Sequence, residues 1–152
     1  MKLLIARHAL AASGYPDFDR PITERGVKDI RNQSDILTKY KIKPAYVITS
    51  PLKRAVQTGA LFAKLMDVPN APFTDRALQP GGFVDDLIMI TKSLNADILF
   101  VGHLPDVANH VTHLVSHVNF NVEFSPGTVG CVNFDGDIIP GRGYLEFLLK
   151  PF

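Results

Sequence analysis

Only one cysteine, Cys131, stands in the 152 residues, so no disulfide can form within the chain and a reducing compartment fits. As a small residue in a strand-like stretch it needs no chemical role. An excess of one charge is also lacking: 16 Lys and Arg against 15 Asp and Glu leave a formal net charge of +1. That balance shows no electrostatic footprint for nucleic acid or for an anionic membrane surface. Any basic site must therefore be local, and the placement of single arginines becomes informative. No apolar run approaches bilayer-spanning length, and the N-terminal one is too short for a signal segment and is cut at once by Arg7. Repeats, linkers and low-complexity stretches are absent too. The expectation is one soluble, cytoplasmic domain, 1–152, able to bury roughly 70% of the surface its unfolded form exposes.

What is present begins with Lys2-Leu3-Leu4-Ile5-Ala6, a run with the length and branching of a buried strand, which stops at Arg7-His8. A polar loop follows from Ala11 to Pro21. Thr23 then reads as the N-cap of a helix whose stripe is Val27, Ile30, Ser34 and Leu37. Ala45 to Thr49 is a second strand. Ser50-Pro51 after it predicts an immediate helix to about Met66, with Ser50 as N-cap and Pro51 at the first helical position. Phe73-Thr74 reads as a short strand, Phe83 to Leu94 as a third helix, and Asp97 to Val101 as a strand ending in Gly102-His103. A fourth helix begins near Pro105. Val118 to Phe124, Val129 to Phe134 and Tyr144 to Leu149 are strand-like and separated by turns. The pattern predicts an α/β fold, a three-layer αβα sandwich with a mainly parallel central sheet and antiparallel C-terminal strands.

Three strand-to-loop junctions carry polar chemistry: Arg7-His8, Ser50 with Arg54, and Gly102-His103. Consecutive βα units of a parallel sheet bring such junctions to one edge, where ligands of open α/β sheets bind. Two arginines and two histidines meeting there describe an anion site, and a tetrahedral phosphoryl group best uses several planar forks at once. Singly, Arg7 reads as a surface charge, His103 as a hydrogen-bonded structural histidine and Arg54 as a solvated helix residue. Together they favour a site. His110, His113 and His117 share i, i+3 and i+7 spacing, but no acidic or cysteine partner falls in register and the helix should end near His117, which disfavours a metal site.

These residues carry a family resemblance. Arg7-His8, Arg20-Pro21-Ile22-Thr23 with Gly26, Ser50-Pro51-Leu52-Lys53-Arg54-Ala55 with Gln57-Thr58, Leu78 with Pro80 and Gly82, and Gly102-His103-Leu104-Pro105 appear in order over most of the chain. The set resembles the histidine phosphatase (phosphoglycerate mutase-like) superfamily, and within it the short SixA-type phosphohistidine phosphatases. The resemblance implies that His8 attacks phosphorus and forms a phosphohistidine that water hydrolyses. It further implies that Arg7, Arg54 and His103 hold the equatorial oxygens, with Arg20 and Ser50 at the phosphate. It implies no metal and no other cofactor, since the arginines supply the charge.

The chain departs from the pattern in three places. Ala9 stands where the family usually has glycine, and Ala77 and Phe83 where relatives often carry acids. Asp85, Asp86 and Asp106 are then general-acid candidates by proximity only. A site without a strong acid suits a phosphoramidate better than an ester, because an imidazole leaves with less need of a proton than an alkoxide does. The expected substrate is thus phosphohistidine on a phosphorelay or phosphotransfer protein, such as a histidine phosphotransfer domain or carrier, in signal transduction. Small phosphate esters are the alternative, a non-catalytic phosphate-binding module is a second, and a phosphoglycerate-type mutase is disfavoured by length. A monomer is expected.

Overall fold

The computed structural model describes residues 1–152. Six strands, β1 (Lys2–Arg7), β2 (Tyr46–Thr49), β3 (Phe73–Thr74), β4 (Ile98–Gly102), β5 (Val129–Asn133) and β6 (Tyr144–Leu149), form one sheet in the order β3-β2-β4-β1-β5-β6. The first four are mutually parallel, whereas β5 runs antiparallel to β1 and β6 antiparallel to β5. Helices α1 (Glu24–Lys39) and α2 (Lys53–Leu65) cover one face, and α3 (Val84–Leu94) and α4 (Asp106–Val115) cover the other. The result is the three-layer α/β fold that the alternation of elements predicts.

The central strands read as unbroken apolar runs because both of their faces are covered. In β1, Leu3 and Ile5 enter the core under α3 and α4, while Leu4 and Ala6 enter the core under α1 and α2. In β4, Ile98 and Phe100 divide from Leu99 and Val101 in the same way. Removing each such side chain from water contributes about 1.5 to 3 kcal/mol, apart from alanine. At the start of α1, the Thr23 hydroxyl accepts the Gly26 N–H at 3.0 Å, as its N-cap position predicts. No helix is long and apolar enough to cross a membrane.

Chain direction produces a crevice. From β1 the chain crosses to β2 through α1 on one face, and from the adjacent β4 it crosses to β5 through α4 on the other. Neighbouring parallel strands whose helices depart to opposite faces leave an opening beyond their carboxyl ends.

Two sequence expectations require correction. Ser50 does not cap α2: Leu52 is the N-cap and helix begins at Lys53. The Ser50 N–H still donates to Val101 O at 3.0 Å, so the residue remains tied to the sheet and the turn starts later. Val118 to Phe124 alternates like a strand yet is irregular. Both edges of β5 are already taken by β1 and β6, and Val118 and Phe120 lie exposed while only Phe124 enters the core.

Gly26 shows how closely the loop after β1 lies on α1. A Cβ built there would sit 2.6 Å from the Leu10 carbonyl oxygen and 3.2 Å from the Ala9 Cβ. Backbone would have to shift, so Gly26→Ala is expected to destabilise the fold by about 1 to 3 kcal/mol despite alanine's better helix propensity. Denaturant unfolding measures this, and an unchanged or raised midpoint would contradict it.

Candidate active site

Strand register brings the three junctions together. Arg7 pairs with Gly102 across β1 and β4, and Thr49 pairs with Val101 across β2 and β4. The ladders continue one step further, with the His8 N–H donating to Gly102 O and the Ser50 N–H to Val101 O, each at 3.0 Å. His8, Ser50 and His103 therefore leave three adjacent parallel strands at one level.

His8 is 8% exposed, and its Nδ1 lies 2.7 Å from the Ala9 carbonyl oxygen. A carbonyl only accepts, so Nδ1 carries the proton and Nε2 keeps the lone pair. Arg54 Nε donates to that Nε2 at 3.3 Å. The backbone behind the ring is fixed by Thr58, whose hydroxyl accepts the Ala9 N–H at 2.9 Å and donates to Arg54 O at 2.7 Å. One threonine thus ties the segment after His8 to the helix that carries Arg54. Gln57 has a structural contact as well, its Oε1 accepting the Ile22 N–H at 2.9 Å.

Arg54 is buried although charged, and its guanidinium is held on a second side. Nη1 donates to the Asp17 main-chain oxygen at 3.0 Å and Nη2 to Asp17 Oδ2 at 3.2 Å. Arg20 Nε donates to Asp17 Oδ1 at 3.0 Å, and its Nη1 reaches Ala12 O at 3.2 Å. Asp17 therefore joins both arginines. In sequence Asp17 is one residue of the polar loop from Ala11 to Pro21; the available signal is an acid three residues before Arg20, a spacing that lets the two pair across a single turn.

Arg7 Nη1 donates to Phe124 O at 2.9 Å, which anchors the irregular segment to the site. His103 Nε2 lies 2.8 Å from Ser50 Oγ, so that hydroxyl faces an imidazole deep in the fold. The rings of His8 and His103 are 5.2 Å apart between centroids and inclined at 55°. Arg7 Nε and His103 Nδ1 are buried and have no hydrogen-bond partner in the chain.

Burial first, and the charges of Arg54, Arg7 and Arg20 after it, push the His8 pKa down to about 4. Burial, with His8 and Arg54 adding to it, pushes His103 down to about 3. Both rings are neutral at physiological pH. At Asp17 partial desolvation pushes upward, but hydrogen bonds and charge from Arg20 and Arg54 prevail and hold the carboxyl below its ordinary range.

Other candidates fall elsewhere. Asp106 accepts the Gly81 N–H at 2.8 Å, and Asp106 and Asp86 act on His110. The carboxylate that acts on His103 is Asp17. His110 is buried in α4, His113 Nδ1 donates to Asn109 O at 2.8 Å, and α4 ends at Val115, so His117 lies off the helix. A cavity of about 490 Å³, lined by Lys2, Leu37, Tyr40 and Phe147 among others, lies at the opposite end of β1.

Comparison with known proteins agrees with this geometry. The family model for the histidine phosphatase superfamily (branch 1) matches residues 3–78, a span holding Arg7, His8, Arg20, Ser50 and Arg54. An uncharacterised protein of Picosynechococcus sp. is 32% identical over 114 residues, covering 70% of this chain and 68% of that protein. The structure of the protein histidine phosphatase SixA complexed with tungstate superposes with a TM-score of 0.88 at 26% identity, over 99% of this chain and 97% of that one. The alpha-ribazole phosphatase from Shigella flexneri shares the fold alone, with a TM-score of 0.72 and 16% identity over 97% and 96% of the two chains. The parallel sheet, the ordered junction residues and these matches lead to one assignment: the chain belongs to the histidine phosphatase superfamily, as a phosphatase similar to its SixA members.

Proposed function

We propose that residues 1–152 form a single phosphatase domain in which His8 accepts the phosphoryl group of a phosphohistidine on a phosphorelay or phosphotransfer protein. The observation that carries this reading is the state of His8: Nδ1–H is committed to Ala9 O, and the lone pair at Nε2 faces the Arg54 guanidinium. A neutral imidazole is a competent nucleophile, and two displacements lower the barrier of one difficult hydrolysis. Nε2 attacks phosphorus in line, the substrate's bond to phosphorus breaks, and water then takes the phosphoryl group from His8.

Arg7, Arg54, His103 and Arg20 are the donors this reading assigns to the phosphoryl oxygens, with Ser50 supporting His103. Buried polar atoms without a partner cost about 1 to 3 kcal/mol each, and an oxyanion would relieve those at Arg7 Nε and His103 Nδ1. Guanidinium charge supplies the stabilisation without a metal. The tungstate in the SixA structure is a tetrahedral oxyanion of the kind this cluster suits. A protein substrate is favoured by the surroundings, since Leu10, Phe18 and Leu104, each within two residues of a site residue, expose apolar surface beside it. The reduced, buried Cys131 suits the cytoplasm.

The expected behaviour of variants follows. His8→Ala removes turnover and also the acid-labile phosphate that labelled substrate leaves on the wild-type protein. Arg54→Ala and His103→Ala each lower kcat/KM on the order of tenfold or more, equivalent to about 1.4 kcal/mol of barrier. Release of phosphate from a phosphohistidine protein, compared with p-nitrophenyl phosphate, measures both effects. Near wild-type turnover by His8→Ala would falsify the covalent route.

The depressed His8 pKa yields a separate expectation. Because the neutral form persists to lower pH, the acid limb of kcat/KM that belongs to the free enzyme should fall through about 4 rather than the ordinary 6.5. Titration of the His8 ring by NMR checks this directly, and a midpoint near 6.5 contradicts it.

A further inference from the structure

Asp17 has no role in the reading above, yet it holds the outer side of the guanidinium whose inner side faces His8. Arg54 Nε is 3.3 Å from His8 Nε2, while Nη1 and Nη2 lie 3.0 and 3.2 Å from the Asp17 main-chain oxygen and Oδ2. One planar group therefore spans from the nucleophile to the carboxylate. In-line displacement places phosphorus next to Nε2 and the leaving atom beyond it, toward the mouth. Exposure agrees with that direction, for the Asp17 side chain is 66% exposed and His8 only 8%. The carboxylate thus lies on the solvent side of the guanidinium, the side toward which an in-line leaving group departs in this reading.

We propose that Asp17 is a specificity-determining residue, its carboxylate accepting the ring N–H of a protonated phosphoimidazole and so favouring a P–N substrate over a phosphate ester. This rests on the assignment of His8 as the phosphoryl acceptor. Each Asp17 oxygen gives one contact to an arginine, and an ionised carboxylate offers about four acceptor positions, so capacity for a further donor remains. The charged and titratable groups around it are Arg20 on its own segment, Arg54 from α2, His8 beyond β1 and His103 beyond β4. With both histidines neutral, Asp17 is the sole anion in this set.

The chemistry separates two substrate classes. When His8 Nε2 forms its bond to phosphorus, the P–N bond breaks and its electron pair stays on the substrate nitrogen. The proton on the other ring nitrogen is retained, so a neutral imidazole departs and no residue has to donate a proton. An ester instead releases an oxyanion that needs a proton, and Asp17, held ionised by two arginines, has none to give. Its charge also repels that oxyanion. The carboxylate thus does for the imidazole what a general acid would do for an ester, by keeping a proton on the substrate rather than delivering one.

The test compares wild type with Asp17→Asn, which keeps the size and an acceptor for Arg54 but loses the charge. Both proteins are assayed on a phosphohistidine-bearing peptide and on p-nitrophenyl phosphate. The ratio of the two kcat/KM values is expected to fall at least about fivefold in the variant. The alkaline limb of kcat for the phosphohistidine peptide, which reports the bound complex, is expected to move to lower pH, because the bound substrate ring loses its proton earlier. Equal losses on both substrates would mean that Asp17 only positions Arg54. A ratio that falls by less, or an unmoved alkaline limb, likewise overturns the proposal. Wild-type protein without turnover of the phosphohistidine peptide would remove the proposed function and this assignment together; wild-type turnover with selectivity retained in Asp17→Asn would remove this assignment alone.

Discussion

Two backbone hydrogen bonds, from His8 N–H to Gly102 O and from Ser50 N–H to Val101 O, extend the parallel ladders of β1, β4 and β2 past their last paired residues. They set the depth at which His8, Ser50 and His103 leave the sheet, and the rest of the site is built on that level. Side chains delivered from rigid strand ends hold geometry better than side chains carried on loops. Both faces of these strands are buried, so a one-residue slip in register would swap side chains between two closely packed cores and is disfavoured by the misfit. The core thereby fixes the distance between the two imidazoles.

The cations come from less rigid places and need further restraint. Arg54 lies one residue into α2, and Arg20 lies in a loop after a single 3-10 turn. Like charges repel most strongly where water is scarce, which makes a converging set of guanidinium groups costly without an anion among them. Asp17 offsets that repulsion through both carboxylate oxygens and its main-chain oxygen. Thr58 supplies the covalently distant but geometrically direct link, joining the segment after His8 to the backbone of Arg54.

Much of this was readable from residue order. The apolar runs ending in Arg7-His8 and Gly102-His103 signal core strands, and parallel connectivity then places their ends together; the Thr23 cap was equally plain. What escaped reading depends on partners that a linear pattern does not contain. Ser50 looks like a cap because Ser-Pro often starts a helix, but its hydroxyl lies 2.8 Å from His103 Nε2 and the helix begins only at Lys53. Val118 to Phe124 has the alternation of a strand, but Val118 and Phe120 stay exposed and the adjoining β5 is already paired on both sides by β1 and β6. Asp17 resembles an ordinary turn acid until α2 brings Arg54 across to it from 37 residues away. Asp85, Asp86 and Asp106 drew attention through sequence proximity, whereas α3 and α4 direct Asp86 and Asp106 toward His110.

Under the proposed function the same cluster has to meet two electrostatic demands, and the arrangement of His8 reconciles them. Binding a phosphoryl dianion calls for concentrated positive charge, while a nucleophilic imidazole has to remain unprotonated. Cations near a histidine raise the cost of protonating it, so the arginines that suit the substrate also preserve the lone pair, and burial acts in the same direction. An arriving anion would reverse part of that effect by favouring the imidazolium. The proton already on Nδ1 and held by Ala9 O leaves Nε2 as the remaining protonation site, and that nitrogen faces Arg54 and, in the reading developed above, phosphorus. A backbone carbonyl on one ring nitrogen and a guanidinium beside the other therefore preserve the lone pair in a field that would also attract a phosphoryl anion.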